Sequence, residues 1–305
     1  MISKKDYSSV RTVLAVDNQS LRAGLREAMR HSGFSAIEEA SSHVTLDKSL
    51  HSQPYDLIIL QAEMDGNNLG PLVRDIRHGR AHAHPFPLVM MLSGLGELSY
   101  VRKLVDCGPD DILLVPVSPE LMVNRAKGLI SRRKPFVVTQ DYIGPDRRKA
   151  FRRSGTETIP LVDVPNPADV AINSMDPKIF QSKVDQVVVR INNLKIERYG
   201  TQIRWLDRNL QMLMESAEPD LQLMHTCSHH MVEVAEDLIE RTAGWRDDRM
   251  GRATQTLLEA AQAWNHLEKK VAGSVLENLS QAVAQTNQEI LRGLMHAKLT
   301  AAEVA

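Results

Sequence analysis

Between Val10 and about Arg132, short apolar runs alternate with helical patterns, and that alternation leaves few folds open. The runs are Arg11–Val16, Ser35–Ala40, Asp56–Leu60, Pro87–Leu92 and Asp111–Leu114. The helical patterns cover Gln19–His31, Val44–Leu50, Leu69–Ile76, Leu98–Val105 and Pro119–Ile130. In the first of these, Leu21, Leu25 and Met29 recur every four residues and so share one face. Strands that alternate with helices need crossover connections, which make the sheet parallel and put helices on both faces. The expected plan for residues 9–132 is α/β, a flavodoxin-like doubly wound (βα)5 parallel sheet. Its centre is Asp56-Leu57-Ile58-Ile59-Leu60, an apolar run of the kind that forms a buried parallel strand. Open α/β sheets place their chemistry at the carboxyl ends of the strands. Gln61 stands at that point here, and a glutamine cannot be a carboxylate nucleophile.

After Arg132 the character changes. Residues 133–174 carry Ile143-Gly144-Pro145-Asp146-Arg147-Arg148, then Arg152-Arg153-Ser154-Gly155, then Pro160, Pro165 and Pro167. Arginine, proline and glycine without periodicity predict an extended linker. Ile159, Leu161 and Val162 are the apolar residues in it able to dock on a domain.

Residues 175–301 predict an all-α region. Asp176-Pro177 has the form of an N-cap and first helical residue. An apolar row then runs Phe180, Val184, Val187, Ile191, Leu194, and a second phase runs Ile196, Tyr199, Ile203, Leu206, Leu210, Leu213. The change of phase has the form of a stutter. A helix of about 40 residues would be roughly 60 Å long. Turns are expected at Pro219, at Gly244 with Arg246-Asp247-Asp248-Arg249, and at Gly273-Ser274. Four amphipathic helices with short turns predict a four-helix bundle or a coiled-coil-like region. One seam can equally face a second copy of the chain, making a homodimer through the C-terminal helices.

Composition excludes several classes. The formal net charge of -1 gives no electrostatic reason to expect nucleic acid or an acidic membrane as partner. Two cysteines, Cys107 and Cys227, fit a reducing compartment rather than a disulfide scaffold. No signal peptide and no membrane-length apolar stretch is expected, so the predicted location is cytoplasmic. Neither a phosphate loop nor a nucleophile elbow is present, and the expectation is a protein that is not an enzyme.

The first 132 residues resemble the receiver domain of two-component response regulators. The resemblance rests on Val13-Leu14-Ala15-Val16-Asp17-Asn18 with Leu21-Arg22, on the strand Asp56–Leu60, and on Met64 and Arg74-Asp75-Ile76-Arg77. It rests also on Met91-Leu92-Ser93-Gly94, on Cys107-Gly108-Pro109-Asp110-Asp111-Ile112, and on Pro116-Val117-Ser118. The resemblance implies an aspartate phosphoacceptor, an acidic pair for Mg²⁺, a hydroxyl and a lysine around one phosphoryl group. Such a site works by positioning and by neutralising spread negative charge. This sequence departs at most of those positions. The acidic pair is Asp17-Asn18, the phosphoacceptor position is Gln61, the hydroxyl is kept at Ser93, and the lysine position is Val115. The position of the usual aromatic switch is Ile112. Glu63 and Asp65 are the nearby acids able to offer oxygen ligands. The expectation is a pseudo-receiver with weak or absent Mg²⁺ binding, no cofactor and no Asp-phosphate, acting by docking to protein partners of a phosphorelay or two-component pathway.

Other groups carry weaker expectations. Arg147, Arg148, Arg152 and Arg153 are candidates for phosphate or acidic-partner contacts. Their phrase, Tyr142–Arg148, resembles a tail that recurs beside bacterial receiver-like domains. His225, His229 and Glu233 share one helical row at metal-ligand spacing. The same helix, with His230, is the place for a histidine phosphotransfer role, though no Lys-Gly follows any of these histidines. His78, His82 and His84 cluster in a loop without a fixed partner spacing.

Overall fold

A computed structural model describes residues 6–148, 159–216, 220–245, 248–265 and 272–303. The chain divides into two compact units, Met1–Val189 and Arg190–Ala305.

The first unit opens with β1 (Thr12–Ala15), α1 (Gln19–His31), β2 (Ile37–Ala40), α2 (His43–Ser52) and β3 (Leu57–Gln61). A two-residue hairpin follows, β4 (Glu63–Met64) with β5 (Asn67–Asn68), and then α3 (Gly70–His78). Next come β6 (Leu88–Ser93), α4 (Leu98–Asp106), β7 (Asp111–Leu114) and α5 (Pro119–Ser131). The main sheet is parallel throughout, in the order β2-β1-β3-β6-β7, which is the flavodoxin-like order. The central strand is β3, whose Leu57 pairs with Thr12 on one side and Leu88 on the other.

Two cores lie on the two faces of that sheet. Leu14, Val16, Leu57, Ile59 and Met90 pack with Leu25, Met29, Met122 and Ala126 of α1 and α5. Val13, Ala15, Ile58, Leu60, Val89 and Met91 pack with Leu46, Val73, Ile76 and Leu104 of α2, α3 and α4. Alternate strand residues go to opposite faces, as pleating requires. Helix starts are set by the sequence. The Asn18 side chain caps α1, Ser42 and Thr45 form a capping box on α2, and Ser118 with Pro119 opens α5.

The stretch after α5 is not an extended linker. It forms β8 (Phe136–Val138), β9 (Ile143–Pro145), β10 (Leu161–Val162) and the short α6 (Ala168–Ile172). The three strands make an antiparallel sheet in the order β10-β8-β9, and Val162, expected to dock, pairs with Phe136. Strands of two and three residues are too short to show a period, so the sequence reads as linker there. Arg152 and Arg153 lie outside the described residues.

The helix α7 (Pro177–Glu215) begins in the first unit and ends in the second. The second unit adds α8 (Leu221–Thr242), α9 (Asp248–Asn265) and α10 (Ala272–Glu303). Its core joins Ile196, Ile203, Leu206 and Leu210 of α7 to Met231 and Leu238, Leu257 and Trp264, and Leu279 and Val283. Asn192 and Tyr199 of α7 bond Arg241 and Asp237 of α8, so these two helices run antiparallel. The Gly273-Ser274 interruption is corrected: both residues fall inside the first turn of α10. No helix among the described residues is long and apolar enough to cross a membrane.

Candidate functional site

The carboxyl edge of the main sheet collects the residues expected to matter. Gln61 ends β3, Asp17 and Asn18 follow β1, Ser93 ends β6 and Val115 follows β7. The fold brings Gln61 to Asp17: the Asp17 backbone N–H donates to Gln61 Oε1 at 2.7 Å. Asn18 is spent on α1, where its Oδ1 accepts the Leu21 N–H at 2.9 Å. Arg22 donates to the Val16 and Asp17 carbonyls at 2.5 and 3.1 Å and pairs with Glu39 at 3.2 Å. Ser93 is fully buried and its hydroxyl turns back to the Leu95 carbonyl at 2.8 Å. Val115 packs against the core between the sheet and α5.

The two spare acids are committed elsewhere. Asp65, in the left-handed region at φ 53°, accepts the His43 N–H at 2.9 Å in the first turn of α2. Glu63 accepts the Tyr100 hydroxyl at 2.8 Å. Burial first, and then the bond and charge of Glu63, push the Tyr100 phenol up to about 12. Among the described residues no group of three or more His, Cys, Asp or Glu is placed to hold a metal ion. The edge thus offers one exposed carboxylate, two amides, one buried hydroxyl and an isopropyl group. Amides donate and accept hydrogen bonds, but they neither attack phosphorus nor supply anionic oxygen to Mg²⁺.

Four leucines near this edge are exposed. Leu95 in the loop after β6, Leu98 at the start of α4, Leu114 at the end of β7 and Leu121 in α5 are 48%, 65%, 51% and 49% exposed. They flank the outermost strand of the sheet.

The remaining predicted site residues are not at this edge. Arg147 donates to the Pro109 carbonyl at 2.6 Å, and Arg148 pairs with Asp146 at 2.9 Å. His225, His229, His230 and Glu233 are exposed on α8, in the second unit. His82 and His84 are structural. Nε2 of His82 accepts the Tyr55 N–H at 2.9 Å, and Nδ1 of His84 accepts the Phe86 N–H at 3.1 Å. Burial, reinforced by neighbouring His82 and arginines, lowers His84 to about 3.

Arg77, which the sequence reading quotes only as part of the resemblance, has a bonding role that reading did not assign. Arg77 is buried and donates to the carbonyls of Gly108 at 2.8 Å, Pro85 at 2.9 Å and Pro87 at 2.8 Å, and to Asp110 at 2.7 Å. Its guanidinium lies 5.2 Å from the centre of the Phe136 ring. Arg133 stacks on the same ring at 5.3 Å and donates to the carbonyls of Phe86 and Pro165 at 2.6 and 2.8 Å. Burial lowers Arg133 to about 10 despite the carboxylate of Asp110. Gly108 (φ 88°) and Gly144 meet back to back beside Arg77: a Cβ on Gly144 would lie 2.9 Å from the Gly108 Cα. All of these contacts sit at the amino ends of β6 and β7, across the sheet from Gln61. One sequence signal for them exists. Val73, Ile76 and Arg77 stand at positions i, i+3 and i+4, so the arginine lies on the buried face of its helix.

Comparison with known proteins gives a family match within the first unit. Residues 13–127 match the family model of the response regulator receiver domain. The transcriptional regulatory protein ResD of Bacillus subtilis (strain 168) is 28% identical over 128 residues, 42% of this chain and 51% of that protein. The chain therefore spans about half the length of the curated relative it matches. Among solved structures, the chemotaxis response regulator CheY4 of Vibrio cholerae is 20% identical, with a TM-score of 0.35 over 39% of this chain and 98% of that one. The signal receiver domain of NarL from Mycobacterium tuberculosis is also 20% identical, with a TM-score of 0.36 over 41% of this chain and 98% of its own.

Proposed function

With a receiver domain at residues 13–127, this chain, we propose, is a two-component signalling protein that works without phosphorylation, as a docking module joined to a helical assembly unit. The observation that carries the reading is the Gln61–Asp17 bond: the side chain at the phosphoacceptor position closes on a backbone N–H of its own edge. Around it the second carboxylate is the cap Asn18, the cation position is the core residue Val115, and Asp65 and Glu63 already have partners. Phosphoryl transfer depends on a nucleophile, a metal and a cation acting together, so losing the nucleophile, one metal carboxylate and the cation removes the route. The leucines around β7 supply a surface for a protein partner. The reading places the chain in the cytoplasm, without enzymatic activity and without nucleic acid as partner. Self-association through the C-terminal helices is part of it.

The test is incubation with acetyl phosphate and Mg²⁺ followed by intact mass. No phosphoryl gain is expected. Gln61→Asp alone should also gain none, because Asn18 and Val115 still lack the metal ligand and the cation. Efficient Mg²⁺-dependent labelling of that variant would overturn the reading. A second reading, histidine phosphotransfer on α8, is favoured by the exposure of His225, His229 and His230 on a bundle helix. Acid-labile mass on one of them would select it. Stoichiometric metal in untagged protein would instead select a metal role for His225, His229 and Glu233.

A further inference from the structure

A cavity of about 510 Å³ opens in the first unit, between the end of α5, the stretch from Asp163 to Met175 and the first three turns of α7. That volume lies in the range of small-molecule sites. Its walls are tied in place. Asn166 donates to the Ile130 carbonyl at 2.8 Å, and Arg133 donates to the Pro165 carbonyl at 2.8 Å. Phe180 of α7 meets the His84 ring edge-on, with centres 5.6 Å apart. The charges of the lining are mixed and balanced: Arg133 and Lys183 are cations, Asp163 and Asp169 carboxylates. The Arg133 side chain is 5% exposed, and its buried Nε has no acceptor among the described residues. A buried donor without an acceptor points to a water or a ligand atom as its missing partner. Asp163 and Lys183 are exposed, and among the described residues neither has an ion-pair partner. Asp169 Oδ1 accepts the Asn173 amide at 2.9 Å, a neutral donor that leaves the carboxylate its charge. Ile130, Met175 and Phe180 add apolar wall.

We propose that this cavity binds a small zwitterion with an apolar side group, a free amino acid or a dipeptide. A ligand carrying only negative charge would face Asp163 and Asp169, and one carrying only positive charge would face Arg133 and Lys183; like charges brought together in a site oppose binding. A molecule with both signs meets both sets in charge-assisted bonds. Its carboxylate answers the cations and its ammonium the two acids. Its side group covers the apolar wall of Ile130, Met175 and Phe180. One wall belongs to α7 and another to α5, so the bound molecule would join the start of the long helix to the last helix of the receiver-like fold. The inference goes beyond the docking role and does not rest on it: labelling by acetyl phosphate tests Gln61, and ligand binding tests this cavity.

The experiment titrates the full chain by calorimetry with L-leucine, L-phenylalanine and dileucine, and with N-acetyl-L-leucine and L-leucine amide, which each keep only one charge. At least one zwitterion is expected to bind, and the single-charge forms of leucine to bind at least about tenfold more weakly than the best of them. Lys183→Glu and Asp163→Lys should each weaken that binding at least about tenfold. Both side chains are exposed, so circular dichroism should stay unchanged. Gln186→Trp, an exposed position of the lining, should abolish binding by filling the space. Lys178→Glu, exposed on the same helix but outside the lining, should leave the affinity as it was. Binding of leucine or phenylalanine tighter than of dileucine supports the free amino acid, and the reverse supports the dipeptide. Equal binding of the zwitterions and the single-charge forms, tighter binding of N-acetyl-L-leucine, or affinity unmoved by Lys183→Glu and Asp163→Lys would overturn the proposal. So would the absence of binding by every zwitterion at about 10 mM, checked by ligand-observed NMR.

Discussion

At the carboxyl edge of the sheet Gln61 accepts one hydrogen bond, from the Asp17 amide, while at the amino edge Arg77 alone makes four. The first set of groups is partly open to water. The second is sealed by Phe136, Arg133 and the Gly108–Gly144 contact. A polar group in water loses little when its partner goes, whereas a buried charge without its partner is costly. The end where chemistry would be expected is therefore lightly held, and the end without expected chemistry is where the polar contacts are concentrated. The tail that reads as a linker is what seals it.

That contrast can be tested by breaking each end in turn. Arg77→Met should have the largest effect, about 3–5 kcal/mol by urea unfolding, because it leaves the buried Asp110 with only Arg133, at 3.9 Å, as cation and strands three carbonyls without their donor. Adding Asp110→Asn should cost less than the sum of the two single changes. Gly144→Val should cost about 2–3 kcal/mol, since its side chain meets the Tyr142 ring and the Gly108 backbone, and β9 must move away from the loop before β7. A protease challenge should then release the segment from Phe136 onward before the sheet is lost.

The pH dependence is read as a slope. His84 titrates near 6.5 when unfolded and near 3 in place. Its folded value is depressed because the buried ring is held neutral, so the unfolded chain takes up the proton first. The stability it contributes is present above about 6.5 and is lost as pH falls toward about 3, at up to roughly 1.4 kcal/mol per pH unit. His84→Phe should flatten that acid limb. The smallest effect belongs to the expected site itself. Gln61→Ala removes one bond at a half-open edge and should cost no more than about 1 kcal/mol. A larger loss there than at Gly144 would reverse the contrast.

Much of the first unit was legible because its signals are periodic. The five strands and their order follow from alternating runs, and the span of α1 from the spacing of Leu21, Leu25 and Met29. The positions of Gln61, Asn18 and Val115 were legible as identities, but what each does instead was not. That Asn18 caps a helix and Asp65 bonds His43 depends on distances no spacing encodes. The amino edge stayed hidden for a different reason. Arg77 bonds carbonyls, which every residue has, so its partners leave no mark in the sequence. Strands such as Leu161–Val162 are stabilised by what they pair with rather than by any pattern of their own. In α7 the shift of phase at Leu194 was legible, and the structure shows which of the two phases faces the core.

The Arg77 cluster also sets an order in time. A growing chain has made all five strands of the main sheet, and α5 after them, before Arg133, Phe136, Gly144 and Pro165 exist. Until those residues emerge, the amino edge has Arg77 and Asp110 in place but neither the Phe136 ring nor Arg133 with its Pro165 carbonyl. A nascent protein of that length carries a finished phosphoryl-type edge and an unfinished floor. Synthesis of this unit is therefore complete only when the stretch beyond Pro165 has arrived, and a chaperone or a protease would meet the open floor in the interval.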